Sequence, residues 1–341
     1  MTTRRAPRIV AFAPDALAFR LGTLALALAG VLAPTPAHAQ AWRPDRPVEL
    51  ISASGAGGNT DRLARTIQRI LQDDRLVPTP VNVVNKTGGN QTIARVYLNQ
   101  HPGDGHYLEL SNPTLMANQV MGITPLSWRD FTPVALLLDE YTVFSIRADA
   151  PFRSGVEVIR RLATQPESLS IGLTTRGGAN HIALALVARK AGIDLKRLKV
   201  VSFKSNGESM TALLGGHIDL VACSVSPVLP HLQEGRVRVI GISAPQRSGG
   251  ALAQVPTWSE QGIAAVHSNW RALIGPKGLQ PGQTAFWEKA TAKLTASEAW
   301  KRELEANFWE AHFLTGRALG TFFEGEQKDH EELLGLLGLA K

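Results

Sequence analysis

Cysteine is nearly absent: Cys223 stands alone among 341 residues. A single thiol excludes an intramolecular disulfide framework and any cysteine-rich zinc or iron–sulfur centre. It also excludes a lipid anchor at the amino terminus, because no cysteine lies near the expected cleavage point. Enzyme signatures are mostly missing too. There is no G-x-S-x-G nucleophile elbow, no H-E-x-x-H zinc helix and no phosphate-binding P-loop. His330-Glu331-Glu332 lacks the second histidine of a zinc helix, and the loop G-A-G-G-N-T is not the dinucleotide fingerprint G-x-G-x-x-G. No metal site or cofactor is expected. Lys and Arg do not cluster among aromatic residues, which argues against nucleic acid as a partner.

What is present is a globular composition, 44% hydrophobic and 19% charged, with 31 Gly and 20 Pro. The length suggests two domains. The first stretch reads as an export signal. Arg4, Arg5, Arg8 and Arg20 form a basic region, and Leu21 to Ala33 is uncharged but too short to span a bilayer, which needs roughly 20 residues. Ala37-His38-Ala39 has the A-x-A form of a signal-peptidase site, which places the cut after Ala39. This segment carries four Arg and one Asp, so its removal lowers the formal charge from +7 to +4. No later apolar run is long enough for a membrane helix. The expectation is a soluble protein exported to a bacterial periplasm.

Strands and helices alternate along the rest of the chain. Val48 to Ser52 reads as a buried strand, and Ser54 to Asp61 as a tight loop. A helix follows, with Leu63, Ile67, Ile70 and Leu71 on one face. Val81 to Val84 is a second strand, with a polar loop from Asn85 to Gln91. Tyr107 to Leu110 is a third, ending at Ser111-Asn112-Pro113. The same order returns later. Strand Ser170 to Leu173 leads through loop Thr174 to Asn180 into a helix from His181 to Ala191, stopped by Gly192. Val200 to Phe203 leads through Lys204 to Gly207 into a helix ending at Leu214. Ile218 to Ala222 and Val237 to Ile242 are further strands, and the chain reads as helical from Pro281 onward. This repetition implies an α/β fold with mostly parallel sheets, helices on both faces, and ligand loops at the carboxyl ends of the strands.

The loops favour anion capture. Gly57-Gly58 precedes a helix, whose unpaired N–H groups and partial positive charge suit a carboxylate or phosphate. A lone glycine pair also suits a plain tight turn, and taken alone that is the commoner case. Asp61 would repel an anion, so it is expected to orient loop amides or a water. Gly88-Gly89-Asn90-Gln91 offers amides plus two neutral side-chain donors, or an ordinary connection. Arg176-Gly177-Gly178 is more specific, since Arg grips a carboxylate with two parallel hydrogen bonds; a solvated surface Arg is the plain alternative. Asn180 closes this loop. His181, at a helix start, could donate to an anion or cap the helix. Lys204 follows a strand and could reach a cleft, although exposed lysines are commoner. Ser54 and Asn112 complete the candidate ligand residues. Cys223, after an apolar strand, reads as a small buried hydrophobe.

Several segments together carry a family resemblance. They include Trp42-Arg43-Pro44 with Pro47-Val48, Gly57 to Arg65, Asn85-Lys86, Gly103-Asp104-Gly105 and Asp130 to Ala135. Leu213-Leu214-Gly215-Gly216-His217-Ile218-Asp219, Val255-Pro256-Thr257 and Glu260-Gln261-Gly262 follow in the same order. From about Trp42 to the carboxyl terminus the chain resembles the extracytoplasmic solute receptors of tripartite tricarboxylate transporters, the Bordetella-uptake-gene type. Gly177 to His181, Gly207-Glu208 and Asn269-Trp270-Arg271 look closest to the tricarboxylate-receptor branch.

The resemblance implies a type II periplasmic-binding fold, with two lobes around a ligand cleft. It implies a carboxylate ligand held by amide hydrogen bonds and bridging waters, and no enzymatic activity. The implied partner is a membrane permease of one small and one large subunit, driven by an ion gradient. By position, Gly57, Gly58 and Asp61 match the first binding loop, Asn85 to Thr92 the second, and Arg176 to His181 the third. Three departures bear on the ligand. Ala56 stands where the family usually has Pro. Thr87 to Gln91 replaces a P-G-A-G-G-like loop, and Cys223 stands where many members carry Asp, which would suit a more anionic ligand. The expected ligand is an organic carboxylate such as the tricarboxylate citrate. The alternative function is an orphan receptor that reports occupancy to a membrane sensor. Lobe one is expected at 40–149 plus 243–341 and lobe two at 150–242, with crossings near Ile146 to Pro151 and Ile242 to Pro245, in a monomer.

Overall fold

A computed structural model describes residues 1–3, 6 and 42–341. The export segment and its cleavage point after Ala39 lie outside the described residues. From Trp42 to Lys341 the chain forms one compact unit containing two sheets.

The first sheet has six strands in the order β11-β4-β10-β3-β1-β2. They are β1 (Val48–Ser52), β2 (Val81–Asn85), β3 (Tyr107–Ser111), β4 (Phe131–Asp139), β10 (Arg271–Pro276) and β11 (Glu310–Leu314). β1 pairs in parallel with both β2 and β3, and β10 lies antiparallel between β3 and β4. Strands β1 to β4 therefore run one way, with β10 and β11 against them. The second sheet has five strands, β7-β6-β8-β5-β9. They are β5 (Val143–Arg147), β6 (Ser170–Leu173), β7 (Lys199–Ser202), β8 (Leu220–Cys223) and β9 (Val237–Ile242). Here β6 to β9 run one way and β5 runs against them.

Both faces of each sheet are covered, which is why the strands read as continuous apolar runs. Successive side chains of a strand point to opposite faces. Leu50 accordingly joins a core made with Leu63, Ile67 and Ile70 of α1 (Asn59–Asp73), Trp287 and Leu294 of α8 (Pro281–Ala296), and Trp300 of α9 (Glu298–Asn307). Its neighbour Ile51 joins the opposite core, with Ala94 and Leu98 of α2 (Thr92–Asn99), Leu115 and Met116 of α3 (Thr114–Val120), and Phe323 of α10 (Gly316–Leu336). The second sheet is covered likewise. Val158 of α4 (Gly155–Thr164) and Val187 of α5 (Ala179–Lys190) pack on one face, and Met210 and Leu213 of α6 (Asn206–Leu214) on the other. A short helix, α7 (Leu229–Gln233), precedes β9. Cys223 is fully buried in the last of these cores, and burial pushes its thiol pKa up, so it is a small apolar residue here. A further cluster joins the two halves: Ile182 of α5 meets Ala117 and Val120 of α3 and Leu333 and Leu334 of α10.

The strand that interrupts the helical carboxyl-terminal region, β11, breaks the expectation of helix throughout. Its residues alternate between half-buried and exposed with none fully buried, so its sequence shows little of a buried strand, and its pairing with β4 is what defines it. The passage between sheets also falls earlier than Ile146 to Pro151. β5 is already hydrogen-bonded into the second sheet, so the chain crosses at Glu140–Thr142. Residues 243–267 stay with the second sheet, where Thr257 bridges to Ile242, and Trp258, Ile263 and Ala265 join its core; the chain returns beside the first crossing at Ser268–Asn269. Thr142 and Ser243 exchange hydrogen bonds, the Ser243 amide donating to the Thr142 carbonyl at 3.0 Å and the Thr142 amide to Ser243 Oγ at 3.1 Å. The Asn269 amide donates to the Glu140 carbonyl at 2.7 Å, and Glu140 and Arg271 form a buried ion pair at 2.8 Å.

Candidate functional site

The candidate residues sit at the carboxyl ends of parallel strands, as open α/β sheets dictate. The first loop connects β1 to α1. Gly57 takes a left-handed φ of +78°, which glycine adopts without the Cβ penalty. Its amide donates to Asp61 Oδ2 at 2.8 Å. Asp61 also accepts from Asn85 Nδ2 at 2.7 Å, and from Arg65 through two bonds of 3.0 Å. Ser54 Oγ accepts the Asp61 amide at 3.0 Å, and Asn85 donates to the Ser54 carbonyl at 2.8 Å. Led by the Arg65 bonds, these donors hold the Asp61 carboxyl down at about 2, against the opposing effect of its burial. Asp61 thus orients the loop and faces inward.

The third loop, between β6 and α5, repeats this arrangement with another residue type. Gly177 has φ +76°, and its amide donates to His181 Nδ1 at 2.9 Å. The acceptor role fixes a neutral imidazole with its proton on Nε2. Burial, reinforced by the nearby Arg176 charge, lowers the His181 pKa to about 4.

The two helix starts differ from their neighbours. α4 and α6 begin with Ser154 and Ser205, whose side chains accept the amides of Glu157 and Glu208. The caps of α1 and α5 are Gly58 and Gly178, which offer no side-chain acceptor. Gly58 and Gly178 donate their own amides to Gly55 and Thr175 carbonyls. Among the described residues, the amides of Asn59 and Thr60 on α1, and of Ala179, Asn180 and His181 on α5, have no protein acceptor. Such donors, added to the positive end of a helix dipole, are complementary to a carboxylate.

The second loop is built around α3. Gly88, Gly89, Asn90 and Gln91 all have positive φ, at 113°, 56°, 50° and 74°. Asn90 exchanges hydrogen bonds with the buried Asn118: its Nδ2 donates to Asn118 Oδ1, and Asn118 Nδ2 donates to the Asn90 carbonyl, both at 2.6 Å. Gln91 Oε1 lies 2.9 Å from Thr114 Oγ1, and Thr114 Oγ1 is also 2.7 Å from Asn112 Oδ1. The third loop reaches the same helix, because a Cβ on Gly177 would lie 2.5 Å from Met121 Sδ. Loops two and three thus both rest against α3 and its end. On the second sheet, Asn180 accepts from Thr142 Oγ1 at 3.0 Å and donates to Asn206, which in turn donates to Ser224 Oγ at 3.0 Å.

Asn59, Arg62 and Arg65 of α1, Glu140 of the crossing and Ser226 beyond β8 line one cavity of about 310 Å³. The first loop and the β8 loop therefore border a shared space. Arg176 and Lys204 are exposed, and neither side chain has a hydrogen-bond acceptor among the described residues. Only the Lys204 amide is engaged, by Glu208. Sequence reasoning passed over Thr142, Ser224, Asn118 and Arg95 as site residues. Asn85 and Asn206 were signalled by their places after strands. Thr142 and Ser224 gain their roles only when the crossing brings them beside Asn180 and Asn206.

Comparison with known proteins bears on the family and the fold. Residues 63–339 match the family described as TctC, tripartite tricarboxylate transporter family receptor. The chain is 27% identical over 328 residues to the UPF0065 protein in the gbd 5' region of Cupriavidus necator, covering 94% of this chain and 97% of that one. It is 29% identical over 261 residues to protein BugT of Bordetella pertussis, covering 75% and 77%. Among solved structures, a TctC solute-binding protein from Polaromonas without ligand superposes with a TM-score of 0.74 at 27% identity, covering 86% of this chain and 99% of that one. Rpa4515 of R. palustris, solved with adipate, gives 0.73 at 23% identity, covering 87% and 99%. MatC of Rhodopseudomonas palustris, solved with malate, gives 0.68 at 23% identity, covering 85% and 99%. With its two sheets of mostly co-directional strands and a family match over most of its length, the chain belongs to the tripartite tricarboxylate transporter receptors, solute-binding proteins of the two-lobed periplasmic fold and not enzymes.

Proposed function

We propose that this receptor captures an organic carboxylate between the loops of its two sheets and delivers it to a membrane permease of one small and one large subunit. The observation that carries this reading is the pair of glycine-capped helix starts, at Gly58 and Gly178, whose amides lack protein acceptors. One carboxylate end would take the amides of Asn59 and Thr60, and another those of Ala179 and Asn180. Arg176 would add a charge-assisted bond from the rim. Gly88 to Gln91, Asn112, Asn206 and Lys204 complete the surrounding donors.

Each charge-assisted bond contributes about 1.5–3 kcal/mol net. Four such bonds give roughly 6–12 kcal/mol before association costs, enough for micromolar binding at about 8 kcal/mol. The malate and adipate of the neighbouring structures are both dicarboxylates, which supports the carboxylate class. A tricarboxylate such as citrate is favoured by the likeness of Gly177 to His181 and of Asn269 to Arg271 to that branch. The lobes are taken as the two sheets with their helices, closing over the ligand, in an exported periplasmic monomer.

The test is thermal unfolding of residues 40–341, freed of co-purified ligand, against citrate, malate, adipate and amino acids. A ligand at 100 times its dissociation constant should add about 2.7 kcal/mol of stability. A shift with one carboxylate identifies the class. A folded protein that answers to none of them overturns carboxylate capture.

A further inference from the structure

Beneath the second loop lies a buried ion pair that the binding reading does not use. Arg95 of α2 and Glu109 of β3 are both fully buried, and Arg95 Nε lies 3.5 Å from Glu109 Oε1. That distance is outside ordinary hydrogen bonding. Among the described residues, Glu109 Oε1 and Oε2 have no hydrogen-bond partner, nor has Arg95 Nε. Taking two charges out of water costs several kcal/mol per ion, and apolar residues of similar size often serve stability as well or better. A pair so incompletely satisfied is poor evidence of a stabilising role.

The remaining Arg95 donors show what the pair holds. Nη1 donates to the Thr114 carbonyl at 3.1 Å and Nη2 to Thr114 Oγ1 at 2.8 Å. Nη2 lies 3.4 Å from Gln91 Oε1, as loose a contact as that to Glu109, so Arg95 acts on Gln91 through Thr114. Thr114 Oγ1 lies 2.9 Å from the same Gln91 oxygen. Gln91 ends a run of four left-handed residues that includes Asn90, and a non-glycine residue in that region is strained. Such a conformation persists only where its surroundings over-determine it. Asn118 fixes Asn90 from one side; Arg95 and Thr114 fix Gln91 from the other.

We propose that Arg95, held in place by Glu109, is the positioning residue of the second ligand loop, keeping Gly88 to Gln91 in the left-handed shape in which their donors face the ligand. The inference rests on that loop belonging to the binding site. Its dynamic part stands independently of any ligand.

The experiment replaces the pair by apolar residues, Arg95→Leu with Glu109→Leu, and measures amide order parameters by 15N relaxation together with binding of malate, adipate and citrate by calorimetry. Backbone order parameters near 0.85 mark rigid segments and values below about 0.6 flexible ones. The expected result is a fall from the first range to the second confined to Gly88–Gln91, with β1 and β3 unchanged. Whichever probe the wild type binds should weaken about tenfold or more, the equivalent of one lost hydrogen bond. Loop order parameters that match wild type overturn the proposal. If the double variant does not fold, Thr114→Val cuts the link to Gln91 while leaving the ion pair, and the same two readouts apply. A wild type that binds none of the probes counts against carboxylate capture, while the order parameters still decide the role of Arg95.

Discussion

Asp61 and His181 occupy the same place in two different loops: each accepts the amide hydrogen of a left-handed glycine four residues earlier, Gly57 at 2.8 Å and Gly177 at 2.9 Å. In both, the following glycine caps the helix and donates to a carbonyl three residues back. One loop is braced by a carboxylate tied to Arg65, the other by a neutral imidazole beside Arg176. The shared geometry brings free amides to a helix start in each half. The different brace makes the two halves respond differently to substitution and pH.

The two glycines separate backbone strain from crowding. At Gly57 an added Cβ meets nothing within 4 Å, so Gly57→Ala should cost only the left-handed penalty of about 1–2 kcal/mol. At Gly177 the Cβ would fall 2.5 Å from Met121 Sδ, adding a clash to the same penalty. Gly177→Ala should therefore lower the melting temperature more than Gly57→Ala. Differential scanning calorimetry of both variants checks the order, and equal losses would remove the contact with Met121 from the account.

Asp61→Asn keeps the shape but exchanges one oxygen for a donor, which must face Gly57, Asn85 or Arg65, all donors themselves. The expected loss is about 1–3 kcal/mol of stability, read from denaturant unfolding. In the wild type the Asp61 carboxyl is held below its ordinary value, so its contribution is present above about pH 4 and lost as pH falls towards 2. The acid limb of Asp61→Asn should be correspondingly flatter over that window.

His181 has the opposite chemistry but the same sign. Its folded pKa, about 4, lies below the ordinary 6.5, so the unfolded chain binds the proton more readily between those values. Stability is fully present above 6.5 and falls as pH drops towards 4, when protonation of Nδ1 breaks the bond to Gly177. His267 and His330, buried and also lowered, add to the same slope. The informative comparison is thus His181→Asn, whose Oδ1 can accept from Gly177 at any pH. Melting temperatures from pH 7 to 4 should decline less steeply in this variant, and an unchanged slope would deny His181 its part.

Arg176 is exposed and has no acidic partner among the described residues, so removing it should cost the fold little. Arg176→Ala should unfold within a degree or two of wild type while binding its carboxylate about tenfold more weakly or worse. Calorimetric titration decides between these effects, and unchanged affinity would leave Arg176 a solvated surface residue.

Much of the architecture was legible because local chemistry and packing agreed. The apolar faces of α1 and the Val-rich and Ile-rich strands are buried as their periods require, and Gly57, Gly177 and Gly192 mark the turns where only glycine is free of strain. The expectation that Asp61 orients loop amides or a water followed from charge alone, since a carboxylate facing an anion is repulsive. The three glycine-bearing loops could be placed on the carboxyl ends of strands from order alone. The sequence could not show that β10 inserts between β3 and β4, or that β11 pairs with β4, since antiparallel insertion depends on where the returning crossing lands. Nor could it show that Asn118 braces Asn90, that Thr114 meets Gln91, or that Thr142 meets Asn180. Those partners lie 28, 23 and 38 residues apart, and side-chain chemistry carries no record of distant neighbours. Sequence determined which loops carry donors; the tertiary structure decided which of those donors are already spent on the protein and which have no acceptor among the described residues.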